Sequence, residues 1–256
     1  MDKVENIQTF RLASYANEEA FFLIYTAFIW VGMIMGFGTD ISHHLASHAR
    51  PYPWIVQLHS AVFVAWLAAF TAQIVLIRRG SAHAHKVLGQ TMAACIPILI
   101  IVGTATAYIV QRNDIGTKQF HPAFFSAQVG DLVGFLGLIV PGFLMRRNPA
   151  AHMRLMMLAT LQISTAGFSR WLGGDVGSFV HFGAWGKSLL ETCCILYFTN
   201  DVMVLGIGVY DLIARRKLYL PYVLGVAWAF GCQAFQVWLY ITPGWVPIAK
   251  WILGAA

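Results

Sequence analysis

Residues 54–88 read WIVQLHSAVFVAWLAAFTAQIVLIRRGSAHAHKVL. Trp54 to Ile77 contains no Asp, Glu, Lys or Arg. It is longer than the roughly 20 apolar residues that a helix needs to cross a bilayer core. Arg78 and Arg79 end the run, Gly80 and Ser81 supply a turn and an N-cap, and a second apolar run begins at once. A charged stop, a tight turn and a new apolar run describe a membrane helical hairpin.

Working outward, six further segments have the same character: Phe21–Thr39, Ala84–Val110, Ala123–Met145, Ala151–Trp171, Leu189–Ile213 and Tyr219–Ile241. The expected fold is an all-α polytopic membrane protein with seven transmembrane helices, in a single domain over 1–256. Composition agrees: 58% of the 256 residues are hydrophobic and 11% are charged, against about 25% charged in soluble domains. Mean hydropathy is +0.65.

The net charge of +6 follows topology, because the basic residues gather in short turns. Arg78, Arg79 and Lys86 lie between segments 2 and 3, Arg146, Arg147 and Arg154 between 4 and 5, and Arg215, Arg216 and Lys217 between 6 and 7. All three turns fall on one side, which the positive-inside rule places in the cytoplasm. The expectation is a bacterial cytoplasmic (inner) membrane, a cytoplasmic N-terminus with 1–20 as a cytoplasmic segment, and a periplasmic C-terminus. The bilayer is the implied partner, with other membrane subunits or a redox partner beside it and no nucleic acid. Met1–Ala20 carries Glu5, Arg11, Glu18 and Glu19 and has no signal-peptide pattern. Cys95, Cys193, Cys194 and Cys232 all sit in apolar runs and do not read as a disulfide framework.

The turn at 78–88 has an echo. Arg78-Arg79-Gly80-Ser81-Ala82-His83-Ala84-His85 parallels Arg146-Arg147-Asn148-Pro149-Ala150-Ala151-His152. Counted from the caps Ser81 and Asn148, His85 and His152 occupy the same position. Segments 2–3 and 4–5 therefore read as two copies of one hairpin, forming a four-helix core over 54–171, with 189–241 adding the last two helices.

Candidate chemistry follows from the histidines. His59, Phe63, Trp66, Phe70 and Gln73 lie on one stripe of segment 2, which reads either as an interior packing face or as the wall of a cofactor site. Histidines on facing helices can bind a haem iron axially, and arginines can meet its propionates. The pairs are His85 with His152 at the inner face and His59 with His121 at the outer one, with Arg79, Arg147 and Arg154 for propionates. Lipid phosphate and helix capping are the plain alternatives for His85 and His152; for His121 the plain alternative is a loop histidine. Asp40, His43, His44 and His48, with His59, His121 and His181 as further members, form a second set. In it either Asp40, His44 and His48 are able to hold Zn, Cu or Fe at the outer face or the whole is a solvated loop. Asp131, Glu191, Asp201 and Arg170 fall inside apolar segments and need partners there, with Lys187 a candidate partner for Glu191 and Asp201 a candidate proton site.

The run Leu58-His59-Ser60-Ala61-Val62-Phe63 to Trp66 and Gln73, then His85-Lys86-Val87-Leu88-Gly89, then His152-Met153-Arg154-Leu155-Met156-Met157-Leu158-Ala159-Thr160 with Arg170 beyond, resembles a group of bacterial multi-pass membrane proteins of unassigned activity. Their pattern is His-Gly-x-x-Phe-x-x-Trp-x6-Gln, His-Arg-x-Leu-Gly and His-Lys-Arg-Leu-Met-Leu-Leu-Ala-Thr. Ser60, Lys86 and Met153 depart from it, and no histidine is lost. The arrangement is also similar, in topology alone, to the transmembrane di-haem cytochromes b that accept electrons from ascorbate. That resemblance implies haem b on His59/His121 and His85/His152. The leading expectation is thus a transmembrane electron carrier or the membrane subunit of an oxidoreductase. The alternatives are a carrier for a small apolar molecule, with Asp131 and Asp201 for proton coupling and no redox cofactor, and an enzyme with the outer metal centre.

Overall fold

The computed structural model describes the backbone over 2–47, 51–180 and 189–255, and side chains over 18–47, 51–176 and 190–255. Among the described residues it is helical throughout, without strands. The long helices are α1 (Asp2–Ala46), α2 (Trp54–Arg78), α3 (Ala82–Asn113), α4 (Phe125–Leu144), α5 (Pro149–Val180), α6 (Leu189–Tyr210) and α7 (Leu220–Ile241). A short helix α8 (Trp245–Leu253) closes the described chain. A 3-10 turn, Pro122–Phe124, leads into α4, and α6 widens into a π segment, Asp211–Arg215.

Six helical stretches are long and apolar enough to cross a membrane: Glu18–Ala46, Trp54–Arg78, Ala82–Asn113, Pro122–Leu144, Leu190–Arg215 and Leu220–Ile241. Six of the seven expected segments fall in them. The seventh, Ala151–Trp171, lies in α5, which is as long but more polar, carrying Thr160, Gln162, Ser164 and Thr165. Packing gives the reason. α5 touches α1, α4, α6 and α7, and Met157, Leu158, Ala159, Leu161 and all four of those polar residues are buried. A helix enclosed by other helices has no need of lipid-compatible side chains.

The core is accordingly wider than the expected four helices. α5 is its axis, with α1, α4, α6 and α7 around it, while the α2–α3 hairpin packs through α2 on α1 and through α3 on α4. The α1–α5 contact depends on missing side chains. A Cβ at Gly36 would stand 2.1 Å from the Gly167 carbonyl oxygen, and one at Gly167 would meet Met33 and the Gly32 backbone. Gly32 and Gly36, four apart, let two backbones approach as small-xxx-small pairs do in membranes.

The outside is apolar: Ile34, Ile101, Leu144, Ile213, Leu224 and Trp251 are all more than half exposed. The inside, by contrast, is polar in places. That inversion of a soluble protein's surface is compatible with contact to a lipid bilayer. α8 packs one edge inward, Trp245 Nε1 donating to the Ala123 carbonyl and Leu253 sharing a cluster with Ala107 and Phe125.

Candidate functional site

The two turns containing Arg78-Arg79 and Arg146-Arg147 bring His85 and His152 into their helices one turn from the start. Each ring reaches back to a backbone carbonyl of the preceding helix. His152 Nδ1 lies 2.8 Å from the Gly142 oxygen, and His85 Nδ1 lies 3.4 Å from the Gln73 oxygen. A carbonyl only accepts, so Nδ1 carries the proton and Nε2 keeps its lone pair. The ring centroids are 6.3 Å apart with planes at 89°. The repeat-equivalent histidines thus meet, and no other pair of histidine rings is in contact among the described residues.

The stripe on α2 faces protein. Trp66, Phe70 and Gln73 are buried, and His59 and Phe63 are half-buried. Trp66 meets Phe135 edge-on at 5.4 Å, and Gln73 Nε2 points at Met92 Sδ, 3.6 Å away. The His59 ring lies 4.2 Å from that of Phe63. His121 is exposed, capping the 3-10 turn before α4, so the structure does not bring it into ring contact with His59.

The arginines separate. Arg79 and Arg147 stand exposed in the turns. Arg154 is fully buried, and four of its five N–H donors are used: Nε and one Nη2 hydrogen to Asp211, the other Nη2 hydrogen to Glu18 at 2.7 Å, and one from Nη1 to the Ala150 carbonyl at 2.9 Å. Tyr219 covers its guanidinium at 4.2 Å, and Arg215 takes the other oxygen of Glu18 at 2.5 Å. Arg154 therefore ties α1, α5 and the π segment together. Of the three arginines expected to meet propionates, Arg154 is thus engaged within the protein. Beside this cluster a cleft of about 250 Å³ is lined by Glu18, Glu19, Ile77, Asn148, Met153 and Tyr219, among others.

Of the outer set, His48 lies outside the described residues, as do the side chains of His181 and Lys187. Asp40 pairs with Arg170 at 3.6 Å, and His44 stacks on Tyr52 at 3.9 Å. Among the described residues no three His, Cys, Asp or Glu side chains gather as a metal set.

A second polar cluster, deeper in the bundle, was only half visible in the sequence. Asp131 on α4 accepts from Gln162 of α5 and Gln236 of α7, each at 3.1 Å. Asp201 on α6 accepts from Gln233 at 2.9 Å. The two carboxylates stand out in the sequence; the glutamines do not, because their pairing crosses 31 to 105 residues.

No known family model matches the chain, and neither a curated protein nor a solved structure does.

Proposed function

We propose that the protein is a b-type haem carrier of a bacterial cytoplasmic membrane, exchanging electrons with a redox partner or partner subunit at its inner face. The observation that carries this reading is the meeting of His85 and His152, each with Nδ1 anchored on a carbonyl and Nε2 left to bind. Histidines that ligate metals are commonly oriented in this way by a second hydrogen bond.

Two further points support it. The two rings stand 6.3 Å apart, centroid to centroid, with their planes at 89°, near enough that both imidazoles could serve one bound group. The donor set is two histidines. Structural zinc asks the protein for four ligands and catalytic zinc for three, whereas a haem iron asks for two because the porphyrin supplies the rest. Arg79 and Arg147, in the neighbouring turns, are the arginines left to receive propionates. A haem there would supply one-electron chemistry; His85 and His152 would hold it, their Nδ1 atoms turned to the Gln73 and Gly142 carbonyls.

The topology belongs to the same proposal: α5 as a seventh span, the basic turns inside and the C-terminus outside. An outer haem on His59 and His121 is not part of it. The test is the visible spectrum of the detergent-purified chain and its variants. His85→Ala and His152→Ala each abolish the Soret band or convert it to a five-coordinate form, while His121→Ala leaves it unchanged. An unchanged band in the first two variants would overturn the assignment.

A further inference from the structure

The cluster around Asp131 is separate from the histidine pair in both residues and depth. At about 1.5 Å of rise per residue, Asp131 lies roughly 14 Å into its span counted from Pro122, close to half the thickness of a hydrocarbon core of about 30 Å. Asp201 lies roughly 17 Å into its span counted from Leu190 by the same rise. The histidines are at the other end, at the starts of α3 and α5.

Four helices build the cluster, and the backbone makes room for it. Gly130 and Gly134 flank Asp131; a Cβ at Gly130 would stand 1.9 Å from Gln236 Oε1, and one at Gly134 would stand 2.9 Å from Gln162 Cδ. Gln236 Nε2 serves both Asp131 and the Tyr197 hydroxyl. Tyr197, Asn200 and Asp201 fall at i, i+3 and i+4 on α6 and so share a face. Gln233 and Gln236 fall one turn apart on α7. The result is a polar seam from Asp131 through Gln236 and Tyr197 to Asn200, Asp201 and Gln233.

The seam has unsatisfied ends. Gln236 and Asn200 are each 1% exposed. Gln236 Oε1 has no hydrogen-bond partner, nor has either amide atom of Asn200. Buried polar atoms are rarely left this way. The carboxylates also lack a counter-charge: the titratable neighbours of the seam are Tyr197, Cys193 and Cys194 on α6 and Cys232 on α7, and no Lys, Arg or His pairs with Asp131 or Asp201 among the described residues. Asp131 and Asp201 are half-buried; a carboxylate held at this depth of an apolar bundle without a counter-charge must carry a proton or be met by a bound cation. Gln162, Gln233 and Gln236 give N–H groups to the carboxylates, an arrangement that fits an oxygen that gains and loses a proton better than one that holds a metal cation.

We propose that Asp131 is a proton-exchange site in the interior of the bundle, with Asp201 as its second station along the Tyr197–Asn200 face. Both amides fall on Oδ1 of Asp131, leaving Oδ2 to take a proton from a water molecule entering the seam and to return it. The site stands on the polar seam alone and does not need the haem.

Infrared difference spectra recorded as the full-length protein is stepped between acid and alkaline buffer test it. The expected result is a band of a buried carboxylic acid that shifts in deuterated water, is lost in Asp131→Asn, and moves in frequency in Asp131→Glu, which keeps the acid should the Asn variant fail to fold. An identical band in folded Asp131→Asn, or no such band in the wild type, would overturn the proposal. So would a band change produced at constant pH by exchanging sodium for choline, which would make the seam a metal-cation site.

Discussion

Arg154 shows what a single residue does here. Its charge is removed from solvent and met by Asp211 and Glu18, with Tyr219 over its face. Breaking a buried pair by removing one partner costs about 3–5 kcal/mol, since the remaining charge stays buried. Arg154→Met leaves Asp211 and half of Glu18 uncompensated, so its thermal unfolding midpoint in detergent falls well below that of the wild type. Adding Asp211→Asn and Glu18→Gln recovers a large part of the loss; no recovery in the triple variant would contradict the ion-cluster account. The sequence showed Arg154 as a basic turn residue and a candidate propionate partner, two positions after a histidine, and not as the centre of an ion cluster. Its partners lie 57 and 136 residues away, and no spacing rule reaches that far. His85 and His152 were legible because the repeat put them in equivalent positions before any contact was known.

At the scale of helices, α2, α3, α4, α6 and α7 were read with ends within about three residues of those observed, because length and hydropathy dominate in a bilayer. α1 and α5, by contrast, extend well beyond Phe21–Thr39 and Ala151–Trp171, to Asp2–Ala46 and Pro149–Val180. What escaped was the rank of the helices. α5 is the most enclosed, yet its buried Thr160, Gln162, Ser164 and Thr165 make it the least apolar of the long helices that follow α1. The Gly32-Met33-Ile34-Met35-Gly36 spacing carried a readable packing signal that the search for chemistry passed over. Substituting Gly36 by Leu drives a side chain into the Gly167 carbonyl, where only backbone can give way. Overpacking of this kind costs about 1–3 kcal/mol or more. Gly38, with nothing within 4 Å of a Cβ, is the control. Thermal unfolding separates the two: Gly36→Leu lowers the midpoint and Gly38→Leu leaves it close to wild type. Equal midpoints would remove the close α1–α5 contact from the account. α8 was also missed, being too short for a span; its buried Ala249 and Leu253 beside exposed Ile248 and Trp251 mark an interfacial helix.

For the whole molecule, α5 fixes the sidedness. With α5 as a span, α6 and α7 follow it and the C-terminus lies opposite the basic turns; without it, the two lie together. Single cysteines introduced at Gly80, Asn148, Gly116 and Ala255 in a chain lacking its four native cysteines report this directly. An impermeant maleimide added outside intact cells labels positions 116 and 255 and spares 80 and 148. Sparing of 255 along with 80 and 148 would reduce the spans to six. The charge asymmetry carries this proposed topology, whereas the depth of the Asp131 seam was not legible, because glutamines in apolar runs do not announce their partners.

The central claim is that His85 and His152 hold one haem iron between them. It is tested most directly by the dithionite-reduced minus oxidised absorbance spectrum of purified, folded protein, with haem counted against protein. The account predicts a b-type α-band and one haem per chain. A flat difference spectrum would contradict it, and two haems per chain would contradict its restriction to the inner face.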